Sequence, residues 1–140
     1  MEGFLSVKEV IEKYIEGCQT KAEMSTNKLF GKAVLAGIMI GMGAAASSVA
    51  AHTIADVGLA RLAAAVVFPV GLMMVILLGA ELFTGDCLAA ISIFDGKQKS
   101  RSIVKLLVVV IFGNFLGATL MAIMVYLSGQ LDYTGGMLGA

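Results

Sequence analysis

The chain has 140 residues, of which 59% are hydrophobic and only 14% charged, a balance far from that of a water-soluble domain. Ten acidic and ten basic side chains cancel, which removes the electrostatic case for a nucleic-acid partner and makes any charge-based function local. Charge gathers in residues 1–32 and 95–105, leaving three long apolar tracts, the layout of membrane helices joined by wet loops.

Ser6-Val7-Lys8-Glu9 has the S-x-x-E form of a capping box, in which the Ser oxygen and the Glu carboxylate satisfy orphan backbone donors, so a helix is predicted to start there. Val7, Val10, Ile11, Tyr14, Ile15 and Cys18 then recur at three- and four-residue spacing, with Lys8, Glu9, Glu12, Lys13 and Glu16 on the other face. Such a helix is too polar to span. It is expected along the membrane surface or against the cytoplasmic mouth of a bundle. The first thirty residues also lack the continuous apolar run of a signal peptide, so the first span itself is expected to direct insertion.

The first span is read over residues 33–54, about 33 Å of helix. Gly37, Gly41 and Gly43, followed by Ala44, Ala45, Ala46, Ser47 and Ser48, present small side chains that let a second backbone approach. His52, the single histidine, falls at its outer end, either as an interfacial side chain or as a proton-handling group.

The second tract, residues 59–94, would be about 54 Å long as one helix, which overshoots a bilayer. It must bend, break or emerge, and Gly79, Thr84, Gly85, Glu81 and Asp86 mark residues 80–86 as the place. Pro69 predicts a kink. Two readings stay open on these grounds. Either the crossing ends before Glu81 and the turn lies among headgroups, or the helix stops inside the membrane and the turn lines a water-filled cavity, with Cys87 to Phe94 completing the crossing.

The third span is read over residues 103–128. It contains Gly113-x-x-x-Gly117, a close-contact signal, and Asn114, an amide expected to hydrogen-bond across that contact. Lys8, Lys13, Lys21, Lys28 and Lys32 precede the first span, and Lys97, Lys99, Arg101 and Lys105 separate the second from the third. The first connection holds only Arg61, so the N-terminus is expected in the cytoplasm. The organisation that follows is a cytoplasmic amphipathic helix and linker at 1–32, a three-span membrane unit at 33–128 and an extracytoplasmic tail at 129–140. An odd number of crossings is what one half of an inverted repeat would show.

No Ser/His/Asp arrangement, phosphate-binding glycine motif or metal-ligand cluster is apparent, and Cys18 and Cys87 read as small hydrophobic side chains. Enzymatic activity, a cofactor and a metal are therefore not expected.

Glu81-Leu82-Phe83-Thr84-Gly85-Asp86, preceded by Phe68-Pro69-Val70-Gly71-Leu72 and by Lys21-Ala22 upstream of the Gly-rich span, resembles the N-terminal half of formate/nitrite transporters. The resemblance covers nearly the whole chain, and its loop is similar to that of the hydrosulfide-channel branch. It implies an all-α, aquaporin-like inverted-repeat protomer whose second half completes the pore. It further implies a homopentamer in a bacterial inner membrane, passing small monovalent anions such as formate, nitrite or hydrosulfide. By the same resemblance Phe68, Leu72, Leu82 and Phe83 would form apolar constrictions. Thr84 would be the polar loop residue near the pore centre, and Lys21 a positive charge that attracts anions to the vestibule. On this reading the chain is the N-terminal half of a protomer, with membrane lipid and the C-terminal half as its neighbours. Competing readings are an aquaporin-type channel for neutral solutes, although no Asn-Pro-Ala occurs, and a nontransporting membrane scaffold.

Overall fold

The computed structural model describes residues 4–139, so the first three positions of the expected N-terminal segment and the last of the expected tail lie outside the described residues. Helix α1 covers Val7–Glu23 and opens with the predicted box: Glu9 N–H donates to Ser6 Oγ at 3.4 Å while Ser6 N–H donates to a Glu9 carboxylate oxygen at 2.7 Å. Its second half docks on the rest of the chain. Cys18 is buried against Ala89 and Ile103, whereas Val7, Val10 and Ile11 stay exposed.

Helix α2, Thr26–Ala51, starts well before residue 33. Lys28 and Lys32 are good helix formers, so hydropathy marks where the apolar part of this helix begins and not where the helix itself does. The second tract folds as α3, Val57–Val67, and α4, Pro69–Leu77. The Asp56 carboxylate caps α3 by accepting from Leu59 N–H at 2.7 Å. Pro69 has no N–H to continue the ladder, and the helix is divided there as the sequence predicted.

Helix α4 then ends in a Schellman turn: Gly79 takes φ +60°, its N–H reaches Ile76 O at 3.2 Å, and Ala80 N–H reaches Val75 O at 3.0 Å. After a nonhelical stretch over residues 78–82 the chain is helical again as α5, Phe83–Phe94, tightened by a 3₁₀ turn at Cys87–Ala90. Helix α6 covers Ser100–Leu127, and short turns at Gln130–Asp132 and Tyr133–Gly136 follow. Three helical stretches, Thr26–Ala51, Val57–Leu77 and Ser100–Leu127, are long and apolar enough to cross a membrane.

Contacts fix the directions of these helices. Gly113 lies against Ala33, Gly117 against Val34, Gly37 against Asn114 and Gly41 against Met121, so α2 and α6 run parallel with their glycines at the seam. Against α2, in contrast, Gly71 meets Met39 and Gly43, Val75 packs with Ala36 and Met39, and Glu81 N–H reaches Lys32 O at 3.4 Å. Contacts that step back along α2 as the chain advances make α4 antiparallel to it. The core is thus a parallel α2–α6 pair with the broken helix returning beside α2.

The seam gives a clear test. A Cβ on Gly117 would strike the carbonyl of Val34, a backbone atom that cannot swing away, whereas one on Gly31 meets nothing within 4 Å. Gly117→Ala is expected to lower unfolding stability in micelles by about 1–3 kcal/mol. Gly31→Ala should be neutral or stabilising by up to about 1 kcal/mol. Equal effects of the two in a denaturant titration would contradict the packing described.

Candidate functional site at the broken helix

Interrupting a helix inside a bundle strands backbone donors and acceptors, and those turned into the packed interior need a protein partner. One side chain from α6 supplies two of these partners, and Lys32 O on α2 accepts from Glu81 N–H. Asn114 Oδ1 accepts from Phe83 N–H at 2.8 Å, and its amide donates to Glu81 O at 2.9 Å and to Ala33 O at 2.8 Å. It closes the break, caps the start of α5 and ties both to α2. Asn114 stands near the middle of α6, about 20 Å by helical rise from either end of that 28-residue helix. The break is therefore level with the centre of an apolar helix. Asn114 was expected to bond across the helix contact, and it does. Its service to the loop was not foreseen, although a lone amide midway along an apolar span is the signal that could have suggested it.

The break opens onto a cavity of about 620 Å³. Leu72, Leu82 and Thr84 line it, together with Gly85 and four charged residues, Lys21, Lys32, Glu81 and Asp86. Phe68, like Leu72, is 44% exposed; it sits at the α3–α4 junction one turn before Leu72 and does not line this cavity. Phe83 packs instead against Leu29, Ala33, Leu106 and Val110. Of the residues singled out from sequence, the structure gathers Leu72, Leu82, Thr84 and Lys21 around one space and leaves Phe68 and Phe83 out of its lining.

The charges are paired. Lys21 Nζ lies 2.7 Å from Asp86 Oδ1 and 2.6 Å from Glu81 Oε2, and Lys32 Nζ lies 3.6 Å from Glu81 Oε1. Both carboxylates are almost fully buried, and Asp86 Oδ2 has no hydrogen-bond partner among the described residues. The four charges sum to zero, so Lys21 is no free cation. Burial opposes its charge, but hydrogen bonds to Asp86 and Glu81 outweigh that and hold its pKa above the usual lysine value of 10.5. The stabilisation from a raised lysine is fully present below that value and is lost only as pH climbs past the higher folded one. Beside the pair, burial pushes the Tyr14 hydroxyl up to about 12, keeping it protonated as it donates to Gly85 O at 2.9 Å. Lys21 and Tyr14 thus clasp α1 to the first turn of α5. Glu81 and Asp86 were read from sequence only as markers of the turn; their partner, some sixty residues away, left no local trace.

Residues 8–139 match the family described as formate/nitrite transporter. A formate-nitrite transporter of Plasmodium falciparum is 34% identical over 141 aligned positions, which cover 89% of this chain and 46% of that protein. A formate channel FocA of Haemophilus influenzae is 34% identical over 82 residues, covering 59% of this chain and 29% of that one. A probable formate transporter of Methanothermobacter thermautotrophicus is 32% identical over 116 residues, or 76% and 42% of the two chains. The chain spans less than half the length of these curated relatives. The match runs through every helix described, including the break and the cavity beside it: the chain belongs to the formate/nitrite transporter family.

Proposed function

We propose that this chain forms one half of a protomer that passes small monovalent anions, among them formate, nitrite and hydrosulfide, through a pore at the broken helix. A second, inverted half completes the wall, and protomers assemble as a pentamer in a bacterial inner membrane with the N-terminus in the cytoplasm. The observation that carries this reading is the break held by Asn114 at the mid-height of α6, opening onto a cavity lined by Leu72, Leu82 and Thr84. Nonhelical backbone at that depth belongs beside water or inside protein. Relatives named formate channel and formate-nitrite transporter support the choice of solute.

The geometry suits a small, weakly basic anion. Thr84 and Gly85 stand in the first turn of α5, where N–H groups lack intrahelical acceptors and the helix dipole favours negative charge. The Thr84 hydroxyl adds a donor. Leu72 and Leu82 exclude solutes that keep a large hydration shell. Protonation of the anion in transit would remove most of its remaining desolvation penalty. Lys21, in this scheme, serves the vestibule by neutralising Glu81 and Asp86, which would otherwise turn passing anions away.

Reconstituted with its second half in liposomes, the chain is expected to pass formate, nitrite or hydrosulfide; water permeability with no anion flux would reject the reading in favour of a neutral-solute channel. Leu72→Ala or Leu82→Ala should raise the size cut-off for carboxylates, and an unchanged cut-off would remove them from the constriction. Asn114→Leu keeps the volume but deletes three hydrogen bonds, so flux should fall about tenfold or more while the chain still inserts; undiminished flux would contradict its role at the break. Lys21→Met leaves the four-charge cluster with one uncompensated negative charge. Flux should drop at low ionic strength, recover in part at high salt through screening, and recover again in the Lys21→Met/Asp86→Asn double variant. A loss insensitive to both salt and the second substitution would reduce Lys21 to a structural clasp.

A further inference from the structure

Helix α6 has two unlike faces. Ile103, Leu106, Val110, Gly113 and Gly117 are buried. Roughly opposite, Arg101, Lys105, Val108, Phe112 and Phe115 follow one another at spacings of four, three, four and three, which keeps them in one stripe along the helix. That stripe is open: Val108 is 47%, Phe112 64% and Phe115 71% exposed, and both basic residues are exposed. No residue of α6 lines the cavity at the broken helix, so the stripe is no part of that cavity's wall.

The charged end of the stripe has no partner of its own. Lys99, Arg101 and Lys105 make no ion pair among the described residues, in contrast to Lys21, Lys32 and Lys97. With Ser102 they surround a recess of about 410 Å³. Lys99 is the N-cap and makes no side-chain capping bond; Ser102 N–H and Ile103 N–H donate to Lys99 O at 2.9 and 3.4 Å, while the N–H groups of Ser100 and Arg101 lack an intrahelical acceptor. The helix has 28 residues, about 42 Å, against a hydrocarbon core of about 30 Å, which leaves its first turn or so at headgroup level. Directly above, Ile111, Phe112 and Phe115 border an apolar recess of about 320 Å³.

We propose that this face binds an anionic phospholipid. The headgroup phosphate lies on Arg101, Lys105 and the Ser102 hydroxyl, and one acyl chain runs along Val108, Phe112 and Phe115. The argument is one of complementarity. Cations without an acid to satisfy them sit at headgroup depth, and an exposed apolar track of matching direction starts one turn deeper at Val108 and reaches Phe112 about 10 Å from Lys105. A zwitterionic lipid fits the track but leaves the cations uncompensated. The inference requires α6 to span the membrane and is independent of what the pore conducts.

The chain contains no tryptophan, so Phe112→Trp supplies a single fluorophore on the track. Reconstituted in vesicles of phosphatidylcholine with brominated phosphatidylglycerol, or of phosphatidylglycerol with brominated phosphatidylcholine, its quenching reports which lipid lies beside it. The proposal expects phosphatidylglycerol to be favoured about fivefold or more. In F112W/R101Q/K105Q the preference should drop to near one, and in F112W/K8Q/K13Q it should be unchanged. If the triple variant at 101 and 105 fails to insert, a salt titration of F112W takes its place, and the preference must fall as screening increases. A preference near one in F112W, or one that ignores both the substitutions and salt, overturns the proposal. Absence of quenching by either lipid also overturns it and assigns the stripe to a protein neighbour.

Discussion

The structure depends on Asn114 satisfying a helix broken in the middle of an apolar bundle. In hydrocarbon an unpaired backbone group costs several kcal/mol, so residues 78–82 could not remain nonhelical without replacement partners. A single amide offers an acceptor and two donors, and here all three are used, on Phe83, Glu81 and Ala33. The amide can reach these groups because Gly113 and Gly117 flank it. Without side chains there, α6 settles against α2 closely enough for a short Asn to touch backbone on both neighbours. The glycine seam and the broken helix are therefore one device, in which close packing positions the amide and the amide permits the break.

A second consequence is electrical. The break brings Glu81 and Asp86 into the interior, where an uncompensated carboxylate is strongly disfavoured. Compensation comes from Lys21 on α1 and Lys32 on α2, so the amphipathic helix is tied by charge to the loop and by Tyr14 to Gly85. This explains why a helix too polar to cross a membrane is nevertheless docked through Ile15 and Cys18, while its first two turns keep their apolar side chains exposed. It also alters the part assigned to Lys21. A lysine that neutralises two carboxylates shapes the local potential by cancellation, which differs from attraction by a free positive charge.

Much of this was legible from residue order alone, for physical reasons. Apolar run length and the Lys/Arg distribution locate the spans because the bilayer sets both, and the Ser6–Glu9 box and Pro69 act within one helical turn. The need for a break followed from length, since no bilayer accommodates residues 59–94 as one helix. Its depth did not follow, because depth is set by which residue of α6 lies alongside, and that register comes from the glycine seam. The Lys21 pairing with Glu81 and Asp86 and the packing of Phe83 into the α2–α6 core are likewise contacts between distant parts of the chain. The start of α2 at Thr26 was missed because hydropathy falls before helicity does. Membership of the formate/nitrite transporter family, suggested by the loop and the Phe68 to Leu72 segment, agrees with the match over residues 8–139.

The proposed pore stands or falls on whether the first turn of α5 meets water at mid-membrane. Thr84 is exposed and lines the cavity, and the native thiols, buried Cys18 and exposed Cys87, can both be replaced to give a silent background. The direct measurement is the reactivity of Thr84→Cys in the assembled protein toward a small, charged, membrane-impermeant thiol reagent, with and without formate. The account predicts labelling from the aqueous phase that formate slows. Labelling by lipid-soluble reagents alone would place this residue in hydrocarbon and contradict it.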